Sequence, residues 1–292
     1  MSMIIGEEAM KRIALINDLS GFGKCSLTAA IPVISVMGMQ ACPLPTAILS
    51  AQTGFEHYFW DDYTDKMNRI TDEWKQMGVT FDGILSGFLA GPDQIQMVEY
   101  FLEQFKTKEN LFFLDPVMGD DGQTYKTYSE DLLYGMKRLM LMADVLTPNL
   151  TELCLLADVD YEKLVVYQNE ADYIERIQLV CDELIKKGKN SPSIVVTGIH
   201  SKKNGVPYMG NLVVSGNESR YIVKPYVGKS FSGTGDLFSS VVCGLVVKGM
   251  TLTDSVQKAV DFLQTAIEDA ADANEDSRHG IQFEKYLHLL WK

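Results

Sequence analysis

Cysteine is scarce and unpaired: five thiols in 292 residues, Cys25, Cys42, Cys154, Cys181 and Cys243, none in a CxxC spacing. An odd number of scattered thiols excludes a disulfide framework and argues for reduced cysteines, hence a cytoplasmic setting. The four histidines, His57, His200, His279 and His288, show no metal-ligand spacing, and no Ser-His-Asp case can be built on them. Basic residues are also short. Twenty-six Lys and Arg against 39 Asp and Glu leave a formal charge of -13, which excludes nucleic acid as the expected partner. No apolar run approaches the ~20 residues of a membrane span. The opening MSMIIGEEAMKR puts acidic residues where a secretory signal has its basic and apolar regions. Any phosphate handled by so acidic a chain must be held locally, by backbone N–H groups at a helix start and by a metal ion.

What is present is ample material for a core, with 46% hydrophobic and 22% charged residues. Short apolar runs bounded by turn residues alternate with stretches of helical period, the pattern of βα units building a parallel sheet. Strands are expected at Arg12 to Asn17, Pro43 to Leu49, Gly83 to Ser86, Leu111 to Asp115, Asp144 to Thr147 and Ser193 to Thr197. Pro92 and Ser129 each start a helix with one apolar face. Tyr208 to Ser215 and Ser219 to Lys224, joined by Gly216 and Asn217, read as a hairpin on the sheet edge. Two more helices follow, Asp236 to Val247 and the segment after Thr251. Pro32 falls inside the helix drawn from Ser26 to Met37, which should therefore be kinked or start later. With no linker and no internal repeat, the expectation is one domain over residues 1–292: a three-layer α/β/α fold, its mostly parallel central sheet flanked by helices and carrying an antiparallel edge hairpin.

The strongest local signal is Gly233, Thr234, Gly235 and Asp236, followed at once by an apolar helix. Glycines permit a tight turn and leave N–H groups bare at a helix N-terminus, which suits a phosphate or a developing oxyanion. Asp236, in the first turn, is placed to accept the proton of an attacking hydroxyl. Good helix capping explains the same four residues, and the tetrapeptide alone leaves both readings open. Other strand ends carry polar residues in the same sense. These are Asn17 and Asp18, then Gln52 and Thr53, then Asp115 and Asp120, then Thr147, Asn149 and Glu152. Asp115, Asp120 and Glu152 are candidate Mg²⁺ ligands, directly or through water. Thr147 before Pro148 also reads as an N-cap with proline at N1, Glu152 as a first-turn acid, and Asp120 with Asp121 as a plain turn. Gly23, Lys24, Cys25 and Ser26 imitate a Walker A loop, but its first glycine falls on Asp18 and its Ser/Thr on Cys25.

The segment SFSGTGDLFSS resembles the phosphate-binding and catalytic signature of ribokinase-like kinases. LDPVMGD, TPNLTE, SAQTG and the tail HGIQFEKYL resemble pyridoxal kinases in order and spacing across nearly the whole chain. The resemblance implies an ATP-dependent kinase acting on the 5′-hydroxymethyl group of a B6 vitamer (pyridoxal, pyridoxine or pyridoxamine). It implies Asp236 as base, with Gly233, Thr234 and Gly235 forming the anion hole. Asp115, Asp120, Asn149 and Glu152 would serve Mg²⁺ and the ATP phosphates. Thr147 and Thr197 would lie near a monovalent cation such as K⁺ or the nucleotide, and Phe231 beside ATP. Thr53 would meet the pyridine substituents and Phe88 the ring face. Asp18 stands where many pyridoxal kinases carry a serine, which bears on the preferred vitamer. A homodimer is implied by the resemblance only. The rival readings are a hydroxymethylpyrimidine kinase, a sugar kinase and a catalytically silent relative. Phe22, Phe88 and Met118 suggest a flat apolar pocket rather than a sugar site.

Overall fold

The computed structural model describes residues 10–168, 171–188 and 191–291. Its sheet is built from β1 (Arg12–Ser20), β2 (Gln40–Leu49), β3 (Trp60–Asp62), β4 (Gly83–Ser86), β5 (Leu111–Leu114), β8 (Val145–Leu146), β9 (Ser193–Lys203), β10 (Val206–Ser215) and β11 (Glu218–Pro225). The spatial order is β11-β10-β9-β8-β5-β4-β1-β2-β3. The six strands from β9 to β2 run parallel, while the β10–β11 hairpin and β3 add antiparallel edges. The small ribbon of β6 (Gly119–Asp120) and β7 (Gln123–Thr124) stands apart from the sheet.

Strand alternation explains the layers. In β1, Ala14 and Ile16 enter one apolar cluster while Ile13 and Leu15 enter the other, and all four are fully buried. A parallel sheet buried on both faces needs apolar residues at successive positions, which is why these strands read as near-continuous hydrophobic runs. One face is covered by α2 (Thr64–Gln76), α3 (Asp93–Phe105), α4 (Glu130–Met140), α5 (Leu150–Ala157), α6 (Tyr161–Val165) and α7 (Tyr173–Lys187). The other is covered by α1 (Ser26–Val36), α8 (Thr234–Val247), α9 (Leu252–Asp272) and the C-terminal segment.

Several starts and stops follow the sequence signals. Ser129 caps α4, its hydroxyl accepting from the Leu132 N–H, and Thr251 caps α9 through the Asp254 N–H. Three expectations are revised. α1 begins at Ser26 and continues through Pro32, which lies on a half-exposed side of the helix, so the helix does not start later. The cap of α5 is Asn149, not Thr147: Asn149 accepts from the Glu152 N–H while Glu152 accepts from the Asn149 N–H, a reciprocal box that outcompetes the hydroxyl. Met118 is not a pocket residue, being 1% exposed within the α2–α7 layer. All five cysteines are free and buried, as expected of reduced thiols.

The connections from β1 and β4 leave on opposite sides. The chain passes from β1 through α1 to β2 on one side, and from β4 through α3 to β5 on the other, with the two helices on opposite faces. Such a reversal opens a crevice at the carboxyl ends of the two strands, where ligands bind in open α/β sheets. Beneath it the α2–α7 layer is stiffened by aromatic contacts among Trp74, Phe81, Phe101 and Phe105, with ring centroids of Phe101 and Phe105 4.7 Å apart. Phe101 is fully buried, so Phe101→Ala is expected to cost about 3–5 kcal/mol, read as a lowered urea midpoint with little change in slope. A change below ~1 kcal/mol would contradict this packing.

Candidate active site

The site is assembled where four loops meet beyond the parallel strands. The Gly21 N–H donates to the Leu49 carbonyl at 2.8 Å, the Gln52 N–H to the Phe22 carbonyl at 3.0 Å, and the Ser232 N–H to the Ser277 carbonyl at 3.0 Å. Gln52, buried, extends the clasp: its amide donates to the Arg278 carbonyl at 3.0 Å and its oxygen accepts from the Gly54 N–H at 2.6 Å. A side chain thus ties the loop after β2 to the C-terminal segment. Nearby, Phe22, Phe55 and His279 form a triangle with centroids 5.4 to 5.8 Å apart.

Gly233 occupies the N-cap of α8 with φ 80°. A Cβ there would press into the backbone carbonyl of Lys24, so the turn demands glycine both for its conformation and for the close approach of the loop before α1. Gly235 differs: it is exposed and no atom lies within 4 Å of where its Cβ would be. The helix start is therefore open on one side, with N–H groups free for an anion.

Asp236 follows in the first turn, half-buried. Asn17, in the carboxyl-terminal half of β1, donates its Nδ2 to Asp236 Oδ1 at 3.0 Å. Ser26 contributes from the start of α1, its N–H donating to Asp236 and its hydroxyl to Asp18. Ser26 stands at φ 51°, a left-handed conformation that costs an L-residue about 1–2 kcal/mol. Burial raises Asp236 to about 6; the neighbouring Asp18 adds to this and the bonds from Ser26 and Asn17 oppose it. Asp18 is buried and also raised by burial, with the Ser20 and Ser26 hydroxyls holding its carboxylate.

Across the sheet end, Asp115 and Glu152 form a second acidic pair. Both are buried, and both are raised above the ordinary carboxylate range, by burial first and then by a neighbouring carboxylate. Glu152 is fixed by the N–H groups of Met118 at 3.0 Å and Asn149 at 2.9 Å. Asn149 donates to the Gly119 carbonyl at 2.7 Å and bridges to Thr197 of β9. Asp120 sits in the β6–β7 ribbon, whose turn residues Asp121 and Gly122 have φ 47° and 76°, the signature of a tight hairpin turn. Burial and Asp121 raise Asp120 as well. Tyr125, just after the ribbon, has its phenol pushed up by desolvation and by Asp120, Glu152, Asp115 and Asp236. Among the described residues no three His, Cys, Asp or Glu side chains converge on one point as a self-sufficient metal cage.

Of the residues singled out in the sequence, Asp236, Asp18, Asp115, Asp120, Asn149, Glu152, Thr197 and the 233–235 turn gather here. Phe88 lies beside them: its N–H donates to Asn17 Oδ1 at 2.9 Å, and its ring meets Trp60 edge-on at 5.8 Å. Thr147 is buried with its hydroxyl unpartnered. Thr53 sits on an exposed turn, and Phe231 is buried in the core on the α8 side. Sequence reasoning gave no role to Asn17, Gln52, Ser26 or Tyr125. Asn17 and Gln52 left a trace, as polar residues at the ends of apolar strands.

A protein-family model described as phosphomethylpyrimidine kinase matches residues 23–280. The chain belongs to this family. Its fold is the ribokinase-like one, and it is a phosphotransferase acting on an alcohol. A Bacteroides thetaiotaomicron protein provisionally described as a phosphomethylpyrimidine kinase, solved with pyridoxal, is 36% identical with TM-score 0.87, covering 96% of each chain. A Lactobacillus plantarum pyridoxal kinase structure is 25% identical with TM-score 0.84 and covers 97% of each chain. A pyridoxal kinase of Paraburkholderia phymatum is 26% identical over 92% of this chain and 90% of its own.

Two outcomes follow for this member of the phosphomethylpyrimidine kinase family. Because Asp236 rises from 3.8 to about 6 on folding, the native state holds a proton that the unfolded chain has already released between those values. Its contribution to stability therefore falls as pH rises through that window. Asp236→Asn is expected to raise the melting temperature at neutral pH, with the advantage shrinking as pH drops below about 6; a lower melting temperature at every pH would contradict it. Gly233→Ala is expected to lower the melting temperature by several degrees, since about 1 kcal/mol shifts it by ~2–4 °C in a chain of this size. An unchanged value would show that the turn tolerates a Cβ.

Proposed function

We propose that the enzyme transfers the γ-phosphoryl group of MgATP to the 5′-hydroxymethyl group of a B6 vitamer. The observation that carries this is Asp236, held by Asn17 and Ser26 in the β1/β4 crevice beside an open helix N-terminus. A carboxylate raised to about 6 is mostly ionised at neutral pH and basic enough to take up a proton. The pyridoxal bound in the 36%-identical Bacteroides relative supports a flat heteroaromatic ring as the acceptor's scaffold. The ring's place is beside Phe88 and Trp60, with Thr53 and Asp18 nearest to its substituents.

The hydroxymethyl proton passes to Asp236 as the alcohol oxygen forms a bond to the γ-phosphorus. The bond from that phosphorus to the β,γ-bridging oxygen breaks, and ADP departs with the electron pair. The N–H groups around Gly233, Thr234 and Gly235, at the positive end of α8, hold the transferring phosphoryl group. Asn149 and Thr197, joined by their bridge, line the nucleotide side.

The donor set fits a hard cation accompanied by phosphate oxygens rather than a metal held by protein alone. Asp115, Asp120 and Glu152 are acidic groups raised by burial first and then by neighbouring carboxylates, and Thr147 offers a buried, unsatisfied hydroxyl. Glu152 already accepts two backbone N–H groups, so it would act through water. Asp115 and Asp120 would hold Mg²⁺, and Thr147 a monovalent cation such as K⁺. When bound, Mg²⁺ neutralises charge on the β- and γ-phosphates.

A second reading, phosphorylation of hydroxymethylpyrimidine, is favoured by the description of the family model. An ATP-consumption screen against the three B6 vitamers, hydroxymethylpyrimidine and a few sugars separates them. A B6 vitamer should show the highest kcat/KM, and a clear preference for the pyrimidine would reassign the acceptor. In the same assay Asp236→Asn is expected to lose roughly 10²–10⁴-fold in kcat while still binding the vitamer. Undiminished turnover would remove Asp236 as the base.

A further inference from the structure

We propose that Asn17 is the positioning residue of the base: its carboxamide selects which oxygen of Asp236 meets the acceptor and ties that choice to the segment carrying Phe88. The inference rests on the reading of Asp236 given above. The amide's orientation is determined by its surroundings. Asn17 Oδ1 accepts two backbone N–H groups, from Asp18 at 2.9 Å and from Phe88 at 2.9 Å. A flipped amide would turn two donors onto two donors, so Nδ2 must point at Asp236, where it donates to Oδ1 at 3.0 Å. That bond falls on Oδ1, and the proposal assigns Oδ2 to the substrate hydroxyl.

The seat for this amide is built from both strands of the crevice. Asn17 lies in β1 three residues before its end, and Phe88 follows β4 by two residues, so one side chain staples the two strands near the point where the chain direction reverses. Gly87 makes the room: a Cβ there would lie 2.5 Å from Asn17 Nδ2 and 2.8 Å from its Cγ. The Phe88 carbonyl in turn accepts from Thr46 of β2 at 2.9 Å. A shift of the segment bearing the ring wall therefore moves the amide, and with it the base. Distances between reacting groups set rate steeply, and a displacement of about 1 Å costs roughly 10²-fold.

The groups that face Asp236 are otherwise unfavourable to its charge. Asp18 from β1, Cys25 from the turn before α1, Asp115 after β5 and Tyr125 after the ribbon are all anionic when ionised, and the Asn17 amide and the Ser26 N–H oppose them. Asn17→Asp is close to isosteric, keeps an oxygen for the Asp18 and Phe88 N–H groups, and turns a carboxylate oxygen towards Asp236 in place of a donor.

The test compares Asn17→Asp and Gly87→Ala with Asp236→Asn in the full-length enzyme, using pyridoxal and MgATP. We expect Asn17→Asp to lower kcat roughly 10²-fold, to leave KM for ATP within about twofold, and to move the acidic limb of kcat against pH upward, because a new like charge opposes ionisation of the base. Gly87→Ala, which changes no charge, should reproduce the loss of kcat with a smaller movement of the limb. Wild-type kcat and limb in both variants, with Asp236→Asn inactive, would overturn the role of Asn17 while sparing that of Asp236. Loss of kcat with a lowered melting temperature and an unmoved limb would likewise overturn it, leaving Asn17 as structural support. Full turnover in Asp236→Asn would remove both.

Discussion

The structure depends on holding carboxyl groups in a place that disfavours their charge. Asp18, Asp115, Asp236 and Glu152 crowd the carboxyl ends of β1 and β5 and the starts of α5 and α8, and burial raises all four. What opposes this is a set of directed donors: the Asn17 amide, the Ser26 N–H and hydroxyl, the Ser20 hydroxyl, and the N–H groups of Met118 and Asn149. A buried carboxylate with such donors is costly to the fold yet fixed in direction, which is the state a general base requires.

The cost is distributed across the scaffold rather than confined to the site. Ser26 holds a left-handed backbone, Gly233 is wedged against the loop before α1, and the Thr147 hydroxyl stays unpartnered. Strain of this kind persists only where surrounding structure over-determines it. Here the two-sided apolar packing of the parallel sheet supplies that rigidity, as does the Gln52 clasp between the loop after β2 and the C-terminal segment. The small β6–β7 ribbon carries Asp120 and Tyr125 towards the acids without joining the sheet.

The architecture was largely legible in the sequence because its signals are local: apolar strand runs, Ser129 and Thr251 as caps, and Gly216-Asn217 as a hairpin turn. Strand edges were less so. β1 runs on to Ser20 and β9 to Lys203, since polar residues continue a strand wherever a neighbour supplies the ladder. The 233–236 turn and the acids after β5 and β8 were readable from glycine conformation and charge. The role of Asn17 was not, because an amide's partners lie 71 and 219 residues away and only the fold reveals them. Of the two readings open for Thr147, the cap fails because Asn149, two residues on, pairs with Glu152 at the right spacing and Thr147 cannot. Asp18 stands out in the sequence by its place in the motif, and its contacts with Ser20 and Ser26 are visible only in three dimensions.

The most direct measurement is a crystal structure of the enzyme with pyridoxal and a non-hydrolysable ATP analogue. The account predicts the hydroxymethyl oxygen within hydrogen-bonding distance of Asp236 Oδ2, in line with a terminal phosphate resting on the N–H groups of Gly233 to Gly235. A ring bound outside the β1/β4 crevice, or a terminal phosphate held away from the start of α8, would contradict it.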